Sequence, residues 1–111
     1  MKELHYSLYL KLLEIMSNIQ QELTEQLIKE LRTAFLAKQN YKLYQIGSID
    51  LLETALQGTG YYLDIDEMNT NGWEQDWWTK IVDEKTKKVV AKANGSMYYG
   101  YLEFNFINNE D

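Results

Sequence analysis

Cysteine and proline are both absent from the 111-residue sequence, and histidine occurs once. Without cysteine the chain has no disulfide, no thiolate metal ligand and no cysteine nucleophile. A site built from several histidines within one chain is excluded as well, since His5 stands alone. None of the four serines lies in a Gly-x-Ser-x-Gly or Ser-x-x-Lys motif. We therefore expect no enzymatic activity, no metal and no cofactor.

Positive charge is also scarce, with 11 Lys and Arg against 17 Asp and Glu and a formal net charge of −6. A protein that grips phosphates needs the opposite balance, so we expect no direct binding of nucleic acid. No apolar run approaches the 18 or more residues of a membrane span, and the N-terminus lacks the pattern of a secretory signal. The sequence therefore predicts a cytoplasmic protein with no membrane partner.

Glycine is missing from residues 2–39, a stretch in which strong helix formers dominate. Apolar residues recur there every three or four positions and form one stripe: Tyr9, Leu12, Met16, Ile19, Leu23, Leu27, Leu31 and Phe35. This pattern predicts a long amphipathic helix, or a helix pair if the chain turns near Ser17. A continuous helix of this length would be about 50 Å long, more than one small sheet can cover. A homodimer through the N-terminal helix would bury the excess.

The rest of the chain alternates in the manner of strands. We predict an edge strand over residues 40–46, a short helix from the N-cap Ser48 through Leu56, and strands that begin at Tyr61, at Trp77 and at Val89. The last strand is expected over residues 98–107, after a turn at residues 94–96. Residues 84–87 are predicted to form the tip of a hairpin.

The fold class is therefore α+β, with residues 1–111 as a single domain. Residues 1–58 are expected to be mainly helical, and residues 60–108 to form an antiparallel meander sheet of four to five strands. The long helical segment and the short helix would pack on one face of that sheet. In outline this resembles cystatin-like folds, which set a helix on a curved sheet and some of which enclose a ligand pocket.

Negative charge is concentrated in the sheet half, where residues 61–111 carry five basic and ten acidic residues. Residues 61–79 contain no base. Adjacent strand residues point to opposite faces, so Trp77 and Trp78 cannot both enter the core. Aromatic side chains can anchor a partner, and carboxylates can pair with its Lys and Arg residues. The predicted partner-binding residues are Asp64, Asp66, Glu67, Trp73, Glu74, Asp76, Trp77 and Trp78.

Two other interpretations of this segment are weaker. Residues 67–72 resemble the first half of a calcium loop, but Trp78 occupies the twelfth position, where a bidentate Glu is required. A polar turn at Asn71 and Gly72 explains the pattern better. The carboxylates alone could hold a divalent metal or share a proton, yet neither a histidine nor a phosphate-binding glycine loop accompanies them.

These features predict a small acidic interaction protein that occludes a basic surface of a partner protein. In length, acidity and lack of catalytic motifs it resembles immunity proteins, DNA mimics, and the inhibitors of host defence that phages or other mobile elements encode. Two alternatives stay open. One is a small-molecule binder with an aromatic pocket between the helices and the sheet. The other is an oligomeric adaptor subunit whose long helix pairs with its copy.

Overall fold

The computed structural model describes the backbone of residues 2–69 and 76–107 and the side chains of residues 7–65 and 76–107. It confirms the α+β class. The elements in chain order are α1 (Lys2–Leu36), β1 (Tyr41–Tyr44), α2 (Ile49–Leu56), β2 (Tyr61–Asn69), β3 (Asp76–Asp83), β4 (Val89–Ser96) and β5 (Tyr101–Phe106). The predicted turn at Asn71 and Gly72 lies outside the described residues.

All five strands form one antiparallel sheet in the order β1-β5-β4-β3-β2. Strands β2 to β5 make the predicted meander, and β1 joins its far edge beside β5. The hairpin between β3 and β4 turns where the sequence predicts it. There the Asp83 carboxylate accepts hydrogen bonds from the backbone N–H groups of Lys85 and Thr86. This is a turn in which a side chain replaces a backbone acceptor.

The predicted turn at residues 94–96 is wrong, because these residues continue β4. Position 95 of β4 requires glycine because the Trp77 ring packs against its backbone. A Cβ placed on Gly95 would lie 2.5 Å from Cζ2 of that ring. The chain turns instead at residues 97–100 and ends that turn on Gly100, whose φ of 71° suits glycine. Strand β5 accordingly begins at Tyr101, later than expected.

Helix α1 is continuous over 35 residues, with no break at Ser17. Only the C-terminal end of α1 packs against α2 and the sheet. Leu31, Ala34 and Phe35 are buried in the core, and Leu27 and Ile28 lie against it. Residues 7–26 are all exposed, in agreement with the expectation that a continuous helix of this length exceeds what one small sheet can cover. The sheet and α2 are too short to reach these residues, and the molecule is 71 Å long in its greatest dimension.

The core lies between one face of the sheet and the two helices. Helix α2 contributes Leu51, Leu52, Ala55 and Leu56, and the sheet contributes Trp77, Ile81, Ala91, Ala93, Leu102 and Phe104. The predicted N-cap Ser48 has the extended backbone of a cap but makes no side-chain cap hydrogen bond. Tyr41 of β1 donates a hydrogen bond to the Glu30 carboxylate of α1 at 3.1 Å. Burial, together with this bond and the charge of Glu30, raises the pKa of Tyr41 above its ordinary value.

Arg32 fastens α1 to the end of α2. Its Nε donates to the carbonyl oxygen of Ala55 at 2.9 Å, and its Nη2 donates to that of Thr54 at 3.3 Å. The last turn of α2 contains no basic residue of its own. A guanidinium from α1 thus satisfies the carbonyls and the partial negative charge at this C-terminus.

We expect the substitution Arg32→Met to lower the free energy of unfolding by about 1–2 kcal/mol, because two charge-assisted hydrogen bonds are lost. Lys29→Met changes an exposed base on the same helix and serves as the matched control. Its effect should stay within about 0.5 kcal/mol. Urea unfolding followed by circular dichroism measures both. Equal stabilities of the two variants would show that Arg32 does not hold α2.

Candidate partner-binding surface

The predicted binding residues fall into three groups in the structure. Asp64 lies on β2, and Asp76, Trp77 and Trp78 begin β3. The backbone of Asp66 and Glu67 continues β2, but their side chains are not among those described. Trp73 and Glu74 lie outside the described residues. Of the four described side chains, Asp64, Asp76 and Trp78 lie on one face of β2 and β3, and Trp77 lies on the other.

The two adjacent tryptophans point to opposite faces of the sheet, as predicted. Trp77 is 1% exposed and packs in the core, where its indole N–H donates to the Gly47 carbonyl oxygen at 2.7 Å. Trp78 is 44% exposed on the other face. Burial removes Trp77 from the predicted binding set, because a partner cannot reach it. Trp78 is the tryptophan of this pair that can contact a partner.

Most exposed side chains of the sheet, Trp78 among them, lie on the face opposite the two helices, which we call the open face. Strand register places Trp78 between Glu67 of β2 and Asn94 of β4. The next row contains Asp64, Lys80 and Lys92, and another neighbour of Asn94 is Glu103 of β5. The open face is therefore mixed in charge, with Asp64 and Glu103 on it as well as Lys80 and Lys92.

Because Lys80 and Lys92 lie on the central strands, the predicted acidic surface is confined to the β2 edge. In sequence, Asp64, Asp66 and Glu67 follow one another on β2, with no base between them. Lys80 and Lys92 belong to the two central strands, β3 and β4, and lie beside Asp64 across the register. The predicted acidic surface was drawn from charge along the chain and did not include this pairing across strands. The Asp64–Lys80 pair depends on the register of β2 against β3, which shifts at a bulge between Ile65 and Glu67 and is not given by local sequence.

The predicted binding residues also did not include the tyrosines of the open face. The Lys42 ammonium lies 5.3 Å from the ring centre of Tyr44 and 5.0 Å from that of Tyr101. These are cation–π distances. The Tyr101 hydroxyl accepts a hydrogen bond from the Asn94 side chain at 3.5 Å. Asn94 also neighbours Trp78 in the register, so it lies between Trp78 and the tyrosines on the open face. The signal for these tyrosines was the alternation of residues 41–44 and 101–106.

Core side chains fill most of the space between the helices and the sheet. A depression of about 310 Å³ remains between the end of α1 and the sheet, with Phe35, Tyr61 and Phe106 among its lining residues. Another depression, of about 600 Å³, lies beside the end of α2 and the start of β2. Glu53, Gly58, Tyr62 and Glu84 are among the residues that line it. Within the described ranges, no cluster of three or more His, Asp or Glu side chains is placed to hold a metal ion. The helices described there include none that is long and apolar enough to cross a membrane.

Comparison of the chain with protein-family models, with curated proteins and with solved structures finds no match.

We expect the two tryptophans to differ in their effect on stability. Trp77→Phe leaves the buried Gly47 carbonyl without its donor and should cost about 1–3 kcal/mol of unfolding free energy. Trp78→Phe alters an exposed ring and should cost less than about 0.5 kcal/mol. Chemical denaturation monitored by circular dichroism compares them. A larger loss for Trp78→Phe would contradict the assignment of faces.

Proposed function

We propose that this chain is a small acidic interaction protein without enzymatic activity, which binds and occludes a basic surface of a partner protein. The observation that carries the proposal is the open face itself. It exposes Trp78 next to a carboxylate-bearing edge strand, while both helices lie on the other side of the sheet. A half-exposed tryptophan offers a large apolar contact area together with an indole N–H donor.

Each part of the surface has a separate role in this proposal. Trp78 supplies the apolar anchor, because aromatic residues carry much of the binding energy at protein interfaces. The carboxylates of β2 attract and orient the partner's Lys and Arg residues. Lys80 and Lys92 limit the acidic region on one side, so that the partner is placed toward the β2 edge. Binding there would block the partner's basic surface sterically and electrostatically.

Occlusion of a basic surface is the mode of action of inhibitors, immunity proteins, phage anti-defence proteins and DNA mimics, and this proposal puts the chain in that functional group. A cytoplasmic location belongs to the same proposal. The small-molecule alternative rests on a depression of about 310 Å³ between the end of α1 and the sheet, which Phe35, Tyr61 and Phe106 help to line.

An adaptor role is the second candidate, and a specific observation favours it. Residues 7–26 of α1 project from the body with nine large apolar side chains exposed. Patches of this size on soluble proteins commonly mark interaction sites. This surface is separate from the open face, and one molecule can use both.

Immobilised protein tests the occlusion proposal by capturing basic proteins from a lysate of the source cells. We expect Trp78→Ser to weaken capture about 30-fold, the equivalent of a hot spot of about 2 kcal/mol. Tyr99→Ser, which removes an exposed ring from the turn at residues 97–100, is the matched control and should leave capture unchanged.

The charge component is tested by Asp64→Lys and by salt. Asp64→Lys should weaken capture about tenfold. Glu53→Lys makes the same change in charge at an exposed position of α2 and should have little effect. Capture should also fall as NaCl rises from about 0.1 M to 0.5 M, since salt screens exposed charges. Binding that ignores Trp78→Ser, Asp64→Lys and salt alike would exclude the open face as the binding site.

A further inference from the structure

The most unusual surface of this molecule is the first part of α1, which we call the arm and define as residues 7–26. Every residue of the arm is exposed. Its exposed large apolar side chains are Leu8, Tyr9, Leu10, Leu12, Leu13, Ile15, Met16, Ile19 and Leu23. Most helical stability in proteins comes from packing of an apolar face, and the arm has no such packing within the described chain. We therefore expect another surface to cover the apolar side of the arm.

The apolar and charged residues of the arm lie on opposite sides of the helix. At 3.6 residues per turn, all the large apolar residues except Leu10 fall within about 160° of the helix surface. The four charged residues, Lys11, Glu14, Glu22 and Glu25, fall within about 80° on the other side. The apolar stripe thus carries no charge that would select a partner of opposite sign.

The polar side of the arm argues against a lipid surface as the occupant. It carries one basic and three acidic residues. Helices that lie on membranes usually present Lys and Arg to anionic headgroups, and this arm would be repelled by them. The occupant is therefore expected to be an uncharged apolar protein surface.

A second arm provides such a surface, because the stripe is complementary to itself in one orientation. Tyr9, Leu12, Met16, Ile19 and Leu23 have the 3,4,3,4 spacing of a coiled-coil seam. When two arms run antiparallel with their midpoint between Ser17 and Asn18, Leu12 faces Leu23 of the second copy. In the same arrangement Met16 faces Ile19 of the second copy. Apolar residues meet apolar residues along the centre of the pair.

The base of the arm favours the antiparallel orientation. There a groove of about 330 Å³ lies between α1 and α2, with Leu27, Ile28, Ile46 and Leu51 among its lining residues. The antiparallel register brings Leu8 of one copy level with Leu27 of the other, at this groove. It also holds the two acidic bodies at opposite ends of the pair, where their repulsion is smallest. A parallel pair would place them side by side.

The contact area is sufficient for a stable dimer. An arm of 20 residues is about 30 Å long and about 10 Å wide. Covering one side of it buries on the order of 500 Å² per chain, so two arms bury about 1,000 Å² before the grooves contribute. Specific interfaces begin at about this size.

We propose that two copies of this chain associate through their arms as an antiparallel helix pair, each arm seating its first turns in the groove between α1 and α2 of the other copy. The interface is made by α1 and lies away from Trp78 and the open face. Its failure and that of the occlusion proposal are therefore distinguishable with different variants.

Sedimentation equilibrium of the purified chain tests association. Above about 10 µM we expect a mass of twice the 13.2 kDa chain mass. Ile19→Lys puts a charge on the stripe and should weaken association at least about 100-fold. Gln21→Lys makes the same addition outside the stripe and is the matched control. Near-ultraviolet circular dichroism, which reports the buried Trp77, should show an intact body in both variants.

Cysteine cross-linking tests the orientation, and the lack of native cysteine makes it clean. A mixture of Leu12→Cys and Leu23→Cys chains should form the mixed disulfide faster than either chain pairs with itself. Faster pairing of Leu12→Cys with itself would show a parallel pair and overturn the proposal. A monomer at every concentration, or association that survives Ile19→Lys, would also overturn it, as would binding of the arm to phosphatidylglycerol vesicles in place of dimerisation.

Discussion

Phe35 is the contact on which the rest of this structure depends. Its ring lies 5.0 Å from the ring of Tyr61 on β2, 5.7 Å from Phe104 and 5.1 Å from Phe106 on β5, measured between ring centres. Edge-to-face and tilted pairs of this kind add to the free energy of burial. A single side chain at the end of α1 thus contacts β2 at one edge of the sheet and β5 near the other edge. With the end of α1 fixed there and by Arg32, a continuous helix leaves the body in one direction.

Much of this architecture could be predicted because its signals are local. The lack of glycine before Asn40 predicted the long helix, and the alternation after Tyr61 predicted the strands. The hairpin at residues 84–87 followed from the same kind of evidence, whereas the continuity of α1 through Ser17 had been left open. The errors arose where a residue has a tertiary role. Gly95 looks like part of a turn, but it is required inside β4 by the ring of Trp77, which lies 18 positions earlier in the chain and cannot be placed by local sequence.

The binding surface was less predictable for the same reason. Strand parity was enough to separate Trp77 from Trp78, but the choice of which one is buried depends on where the helices pack. The charge of residues 61–79 was evident, whereas its partial neutralisation by Lys80 and Lys92 depends on the register of three strands. The length of α1 signalled an excess of apolar surface. How much of the helix stays exposed was determined by the size of α2 and the sheet.

The position of β2 has a consequence for the way this molecule stays in solution. It is the last strand of the sheet and, at nine residues, the longest. A long edge strand is a template for the addition of further strands, which leads to aggregation. Asp64, Asp66 and Glu67 would set like charges against each other if two such edges approached, and that repulsion disfavours stacking of sheets into fibrils. The carboxylates of β2 thus disfavour pairing between two copies of this edge strand.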